Sequence, residues 1–281
     1  MSSRMLDTPS NANLSTVTRS RRRWLQYSLR SLFAVMLVSA GIARWMAANA
    51  EAQKAAVQAI LEDGGHVTYD FQRPRQDSAG RLLPPSNPPG PEWLRRFLGD
   101  DYFVNVINAR ISTDSGLLRI GGLSKLEQLY RLPVSGGRPR ITDAGIKNIS
   151  GLNRLVSVDL ADSRITDDGL AYLEGLDQLQ NLNLAYTSVT DDGLKHLADL
   201  TQLRWLNLSG TQFSGTGLKH LSGLSHLESL DLSRSMVTDE GLERVKALKS
   251  LKWLNLAASI QFSEESVAAL RKALPDCQIQ R

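Results

Sequence analysis

Leucines return every 24 residues through the second half of the chain, at Leu155, Leu179, Leu203, Leu227 and Leu251. Three positions later stand Val158, Leu182, Leu206, Leu230 and Leu254, and two after those Leu160, Leu184, Leu208, Leu232 and Leu256. Alternating apolar positions predict a short strand with its leucines on one face. Each strand runs on to Ile165, Val189, Phe213 or Val237, then to a block of Thr-Asp-Asp-Gly-Leu type, then to a closing Leu176, Leu200, Leu224 or Leu248. The block predicts a helix start. In Thr166-Asp167-Asp168-Gly169-Leu170 the threonine can cap the helix while the two acids complement the positive end of its dipole. Leu170, Leu173 and Leu176 then face the sheet. A strand-plus-helix unit of this size cannot bury its apolar face alone, so the units must stack, with strands paired in parallel about 4.8 Å apart.

Two decayed copies lie upstream, Thr113-Asp-Ser-Gly-Leu117 and Ile141-Thr-Asp-Ala-Gly-Ile146, with an insertion around Pro133 to Pro139 breaking the ladder between them. Counting these, seven repeats are expected, ending in an insertion near Ile260 and a capping helix from Glu264 to Leu274. The pattern Leu-x-x-Leu-x-Leu resembles the leucine-rich-repeat superfamily over residues 102–281. The expected fold class is α/β: a solenoid with a parallel β-sheet on its concave face and helices on its convex face, because helices are wider than strands.

Ahead of the repeats the pattern changes. Residues 1–24 are polar and then basic and predict a disordered tail. From Ser31 to Ala43 an uncharged apolar run of about 13 residues reaches only ~20 Å as helix, too short by itself for a core of ~30 Å. Trp24 and Trp45 bracket it about 31 Å apart, and Arg30 and Arg44 can snorkel, so residues 25–46 read as a transmembrane anchor helix. The basic cluster Arg19 to Arg23 places the N-terminus in the cytoplasm and the repeats outside it. Three alternatives stay open: export with cleavage at Ala48-Asn49-Ala50, a twin-arginine signal at Ser20 to Gln26, and a buried cytoplasmic helix. Residues 47–91 read as a stalk helix closed by Gly64-Gly65, a short strand from His66 to Phe71, and a linker with six prolines between Arg73 and Pro91. An open-ended solenoid needs a cover on its first repeat, and Trp93, Leu94, Phe97 and Leu98 assign that N-terminal cap to residues 92–101.

The formal charge of +4 belongs to one end. Seven basic residues precede position 45 against the single acid Asp7, leaving 26 basic and 28 acidic residues beyond. No basic stripe marks the body, so a nucleic-acid partner is not expected. Cys277 is the only cysteine, which forbids an intrachain disulfide. The pairs Asp167-Asp168 and Asp191-Asp192 recur at helix starts and read as caps rather than acid/base pairs. His196 and His220 stand 24 residues apart, yet two imidazoles without a carboxylate or thiol make an incomplete metal site. With no phosphate loop, nucleophile elbow or converging triad, no catalytic residue, metal or cofactor is expected.

The outward strand positions carry the candidate site. One column holds Ser157, Asn181, Trp205, Ser229 and Trp253; a second holds Asp159, Asn183, Asn207, Asp231 and Asn255; a third, at the strand end, holds Asp162, Tyr186, Gly210, Arg234 and Ala258. Trp205 and Trp253 flank the small Ser229, about 10 Å apart, which makes a cleft. These tryptophans with Tyr186 are candidate hot-spot anchors, set among Asp159, Asn183, Asn207, Asp231, Asn255 and Arg234. For the tryptophans, the alternative is that they only cover leucines. For the Asp/Asn column, it is a plain hydrogen-bond ladder. A protein partner is the first expectation and a glycan held in the Trp205/Trp253 cleft the second.

The Thr-Asp-x-Gly-Leu-x-x-Leu block is similar to the repeats of F-box substrate receptors, although no F-box-like domain precedes it. The layout resembles anchored repeat proteins of planctomycete-type bacteria, through residues 21–32, 64–70 and 93–103. That resemblance implies an N-terminally anchored topology with the repeats at the cell surface.

Overall fold

The computed structural model describes residues 13–76, 82–84, 86–98, 100, 104–132 and 141–281, with the side chains of 13–33 and of Phe97 outside the description. The chain divides into two compact units, Met1–Ala48 and Asn49–Arg281. The described part of the first is helical, the opening stretch of α1 (Asn13–Glu62). Helix thus covers 13–24, within the segment expected as a disordered tail, while residues 1–12 of that tail lie outside the description. Among the described residues no helix is long and apolar enough to cross a membrane. The expected span 25–46 begins in residues 25–33, whose side chains are outside the description.

The second unit is built on one nine-stranded sheet, in the order β1 (His66–Tyr69), β4 (Val106–Ile111), β5 (Gln128–Arg131), β6 (Ser157–Asp159), β7 (Asn181–Asn183), β8 (Trp205–Asn207), β9 (Ser229–Asp231), β10 (Trp253–Asn255) and β11 (Gln278–Gln280). A separate two-stranded ribbon, β2 (Arg75–Gln76) with β3 (Leu82–Leu83), lies in the linker. From β4 to β11 every pairing is parallel. The step between paired residues is 20 from Asn108 to Gln128 and 29 from Gln128 to Ser157, then a regular 24 as far as Trp253. The irregular steps occur where the sequence pattern decays. They change the connections and leave the strand register intact.

One face of this sheet is covered and forms the core. Leu155, Leu160, Leu182, Leu184, Leu206, Leu208, Leu230 and Leu232 are all 0% exposed. Each such leucine contributes about 1.5–3 kcal/mol by leaving water. The covering layer is thinner than expected: single turns such as Asp167–Leu170 followed by a 3-10 turn at Ala171–Leu173, or a 3-10 segment alone at Asp191–Leu197. Only Asp239–Val245 and Glu264–Ala273 are longer α-helices among the repeats. The latter is the expected terminal helix. The chain then returns as β11, a strand the sequence pattern did not announce, which extends the ladder onto β10.

The acid in each helix-start block does more than face a dipole. Asp167 Oδ1 accepts the N–H of Thr190 in the next repeat at 2.8 Å and its Oδ2 accepts the Thr190 hydroxyl at 2.6 Å. Asp114 holds Thr142 and Asp143 holds Thr166 in the same way, and Asp239 holds Ser263. The capping hydroxyl of one repeat is thus oriented by the carboxylate of the repeat before it. Thr142, Thr190 and Thr238 also accept a backbone N–H of their own turn, whereas Thr166, the residue chosen as the typical cap, makes no such bond. The glycine of the block follows from this contact. A Cβ on Gly193 would lie 2.3 Å from Asp167 Oδ1, so only glycine admits the carboxylate. Where Gly215 replaces the acid, the Thr238 N–H turns to the Ser214 carbonyl instead, at 3.0 Å.

The same device identifies the N-terminal cap. Asp63, just past α1, accepts the N–H groups of Ser112 and Thr113 at 2.9 Å each and bonds the Thr113 hydroxyl. Ala56 and Ile60 of α1 are fully buried in the core. The buried Gln53 donates to the Val104 carbonyl at 2.9 Å and accepts from the Val106 N–H. β1, where a short strand was expected, pairs antiparallel with β4 and covers the sheet edge. The cap is therefore formed by residues 49–69, part of the expected stalk. Within the expected cap 92–101, α2 (Glu92–Leu98) leaves Trp93 70% and Leu98 37% exposed. A cap must cover both the core end and the edge strand, and only the α1–β1 segment supplies both surfaces.

Asp167→Ala removes two hydrogen bonds to a charged acceptor and is expected to cost about 2 kcal/mol, read from urea unfolding. Asp191 gives the pH dependence. Burial alone raises its pKa, but hydrogen bonds from the Ser214 hydroxyl and the N–H groups of Gly217, Ser214 and Gly215 outweigh this and hold it below the usual 3.8. A carboxyl more acidic in the folded chain stabilises the fold above its unfolded-state pKa, and that stabilisation is lost as pH falls through the folded value. Stability is expected to decline below pH ~4, and Asp191→Asn is expected to flatten that decline in an acid unfolding series. An unchanged acid limb in the variant contradicts the assignment.

Candidate binding surface

Among the described residues no layer covers the other face of the sheet from β6 to β10, and its side chains are set by the strand register. The first outward row reads Gln128, Ser157, Asn181, Trp205, Ser229, Trp253 and Gln278; the second reads Tyr130, Asp159, Asn183, Asn207, Asp231, Asn255 and Gln280. From β6 to β10 every outward residue is half-buried and every inward one buried. Trp205 and Trp253 both pair with Ser229, as the spacing implied. Each indole is half-buried, so part of its surface lies against neighbours on the sheet and part stays open.

The Asp/Asn row has a structural duty. Asp159, Asn183, Asn207, Asp231 and Asn255 each accept, through Oδ1, the N–H two residues on, at 2.8–3.2 Å. The short polar side chain closes an Asx turn that ends the strand, which is why no other residue type occupies the row in these repeats. A cross-strand bond adds to this only at one place, where Asn255 Nδ2 donates to Asp231 Oδ2 at 3.1 Å. Asp159, Asn183 and Asn207 use only Oδ1 in these turns.

The third column is not strand at all. Asp162, Tyr186, Gly210, Arg234 and Ala258 all have positive φ, between 54° and 66°, the left-handed conformation that turns the chain out of the sheet. Tyr186 is 52% exposed. A Cβ on Gly210 would lie 2.4 Å from Tyr186 Cδ1, so the tyrosine ring lies over the bare backbone of the next repeat. Arg234 is exposed. Two residues beyond this column Met236 and Ile260 are 50% and 89% exposed and extend the apolar surface on adjacent repeats. Alternation could not reveal them, because they follow a turn.

The sequence reading also missed the N-terminal end of this face. Asn108, Arg110, Gln128, Tyr130, Arg131 and Asp159 line an open pocket of about 440 Å³. Asp159 already stood in the second outward column; the strands of the other five precede the regular repeats, where the insertion hides the register. The alternation from Val106 to Ile111 is the signal that could have found them. As for metals, His196 Nδ1 lies 2.5 Å from Glu174 Oε1, and among the described residues no three His, Cys, Asp or Glu side chains gather to hold one.

Truncating an outward tryptophan opens no closed cavity, so Trp205→Ala and Trp253→Ala are each expected to cost about 1–2 kcal/mol in urea unfolding. The inward neighbour Leu206→Ala is expected to cost about 3–5 kcal/mol. Equal losses in the two classes contradict an open face.

Two family models match the chain, both described as leucine rich repeat, one over residues 153–213 and one over 223–245. No curated protein matches it. Among solved structures it is similar to an internalin (inlF) from Listeria monocytogenes, at 26% identity and TM-score 0.47, over 63% of this chain and 46% of that one. It is also similar to the TLR13 chain of a TLR13–ssRNA13 complex, at 26% identity and TM-score 0.45, over 59% and 23%. The chain thus spans less than half the length of either. The matched segments contain β6 to β8 and, separately, β9 with the helix Asp239–Val245.

Proposed function

We propose that this protein is a non-enzymatic interaction module whose partner is another protein, gripped on the open face by Trp205, Trp253 and Tyr186. One observation carries this reading: two half-buried indoles stand on register-locked strands either side of Ser229, and the exposed Tyr186 ring lies over Gly210 at the strand ends of the same array. Aromatic side chains held in place lose little entropy on binding, which is what anchors a protein interface. The outward strand positions from β6 to β10 include two acids, Asp159 and Asp231, and no lysine or arginine. That balance suits a polypeptide better than a nucleic acid.

In the same reading the N-terminal segment 25–46 holds the module to a membrane with the repeats outside the cytoplasm. The apolar residues Val35, Leu37, Val38, Ile42 and Trp45 are each more than half exposed on α1, and exposed apolar side chains gathered on one stretch of helix favour an apolar environment. Retention of the full chain in the membrane pellet after alkaline extraction, with the repeats open to external protease, is the expected result. Release into the supernatant contradicts anchoring.

The test of the binding face is affinity capture with the full chain in detergent, comparing wild type with Trp205→Ala/Trp253→Ala. A partner captured by wild type is expected to be lost or weakened at least 30-fold by the double variant, about 2 kcal/mol. An unchanged capture profile contradicts the assignment.

A further inference from the structure

The N-terminal end of the open face offers a different chemistry from the tryptophan patch. β1 and β4 place His66 opposite Arg110, and the row continues through Tyr130 to Asp159. The neighbouring row runs through Thr68, Asn108, Gln128 and Ser157. Unlike the patch around Trp205, the pocket here is lined by two guanidiniums, two amides, a phenol and a carboxylate, with Leu132 as its one aliphatic side chain. Its volume of about 440 Å³ is that of a site for a small ligand.

The hydrogen bonds already made show which groups are left. Arg131 takes the inward strand position that Ile111 and Leu160 hold on either side, and its guanidinium is committed to Asp162 Oδ2 at 3.0 Å and turned toward the Leu132 carbonyl. Its charge is neutralised, and its side chain is 14% exposed. Arg110, by contrast, is exposed and enters none of the ion pairs formed among the described residues. Asn108 Nδ2 donates to Gln128 Oε1 at 3.1 Å, which leaves the Asn108 carbonyl and the Gln128 amide hydrogens. Asp159 spends one oxygen on its Asx turn and keeps the other.

The remaining set is a cation at one end, a carboxylate oxygen two strands away at about 9.6 Å, amide donors and acceptors between them, and an aromatic ring. Each group has a counterpart in a compact polyhydroxylated ring that bears a carboxylate. Arginine meets a carboxylate with two parallel N–H bonds, amides and a carboxylate suit vicinal hydroxyls, and the apolar C–H face of a sugar packs on a phenol ring. We propose that this pocket binds an acidic sugar residue of the hexuronic acid type. Its carboxylate lies on Arg110 with His66 alongside, its hydroxyls on Asn108, Gln128 and Asp159, and its ring on Tyr130. The site's centre on β4 and β5 is separate from the tryptophan patch, since β5 and β8 are three strand steps, about 14 Å, apart, and its nearest member, Asp159 on β6, is two steps, about 10 Å, from β8.

The test is calorimetric titration of the full chain with a galacturonate trimer, maltotriose and triglutamate at one ionic strength. The acidic trimer is expected to bind, with maltotriose at least tenfold weaker. Arg110→Gln is expected to weaken the acidic trimer tenfold or more, Tyr130→Ala and Asp159→Asn several-fold each, and Trp205→Ala not at all. Arg110→Lys, which keeps the charge and loses the paired N–H geometry, is expected to fall between wild type and Arg110→Gln. The proposal is overturned if the acidic trimer does not bind, if Arg110→Gln leaves its affinity unchanged, or if triglutamate binds as tightly, which would mean charge alone. Failure of the wild-type chain to bind the galacturonate trimer, with partner capture on the tryptophans intact, overturns this inference and leaves the other standing.

Discussion

Everything in the repeat unit depends on one contact, the carboxylate of one repeat taking the backbone N–H and the hydroxyl that open the next. A 24-residue unit has one three-residue strand and one or two helical turns, too little to bury its own leucines, so the array exists only as a stack. Leucine contacts drive the stacking but are non-directional. The bonds that Thr142 gives Asp114, Thr166 gives Asp143 and Thr190 gives Asp167 are directional and recur from junction to junction, with the Ser214 carbonyl standing in where Gly215 replaces the acid. They set the offset between neighbours. The glycine of the block is there to let the carboxylate approach, so three residue types of the motif serve a single interaction.

That regularity on the covered side makes the open side usable. Because the register holds from β4 to β11 across steps of 20, 29, 24 and finally 25 residues, the outward rows are straight columns whose side chains vary while their backbone does not. The Asx turns extend this to the strand ends, where Asp or Asn directs the chain into the left-handed residue that carries Tyr186 or Arg234. The tryptophan patch and the polar pocket are two uses of one scaffold, three strands apart, and neither requires the backbone to differ from repeat to repeat.

Much of this can be read along the chain. The repeat, its inward leucines and the two outward rows follow from periods of 24 and 2, because an in-register parallel stack converts sequence spacing directly into neighbourhood. Trp205, Ser229 and Trp253 were legible as neighbours for that reason. The Asp/Asn row was legible as a row, but its Asx-turn role was not, since a ladder and a turn require the same residue types.

Contacts without a period were decided only by the tertiary structure. Asp63 stands 51 residues before Asp114, outside any repeat, yet supplies the first inter-repeat carboxylate; the cap therefore lies in the α1–β1 segment, although α2 has the more cap-like pattern. The polar pocket around Arg110 and Tyr130 was obscured because the steps that create it are 20 and 29 residues long, and spacing predicts adjacency only while the spacing is constant. By itself the sequence determined the unit, the core and the aromatic pair, all of which depend on local alternation and a constant repeat length. Which segment closes the stack, and which polar residues meet at its N-terminal end, were settled by long-range hydrogen bonding and packing.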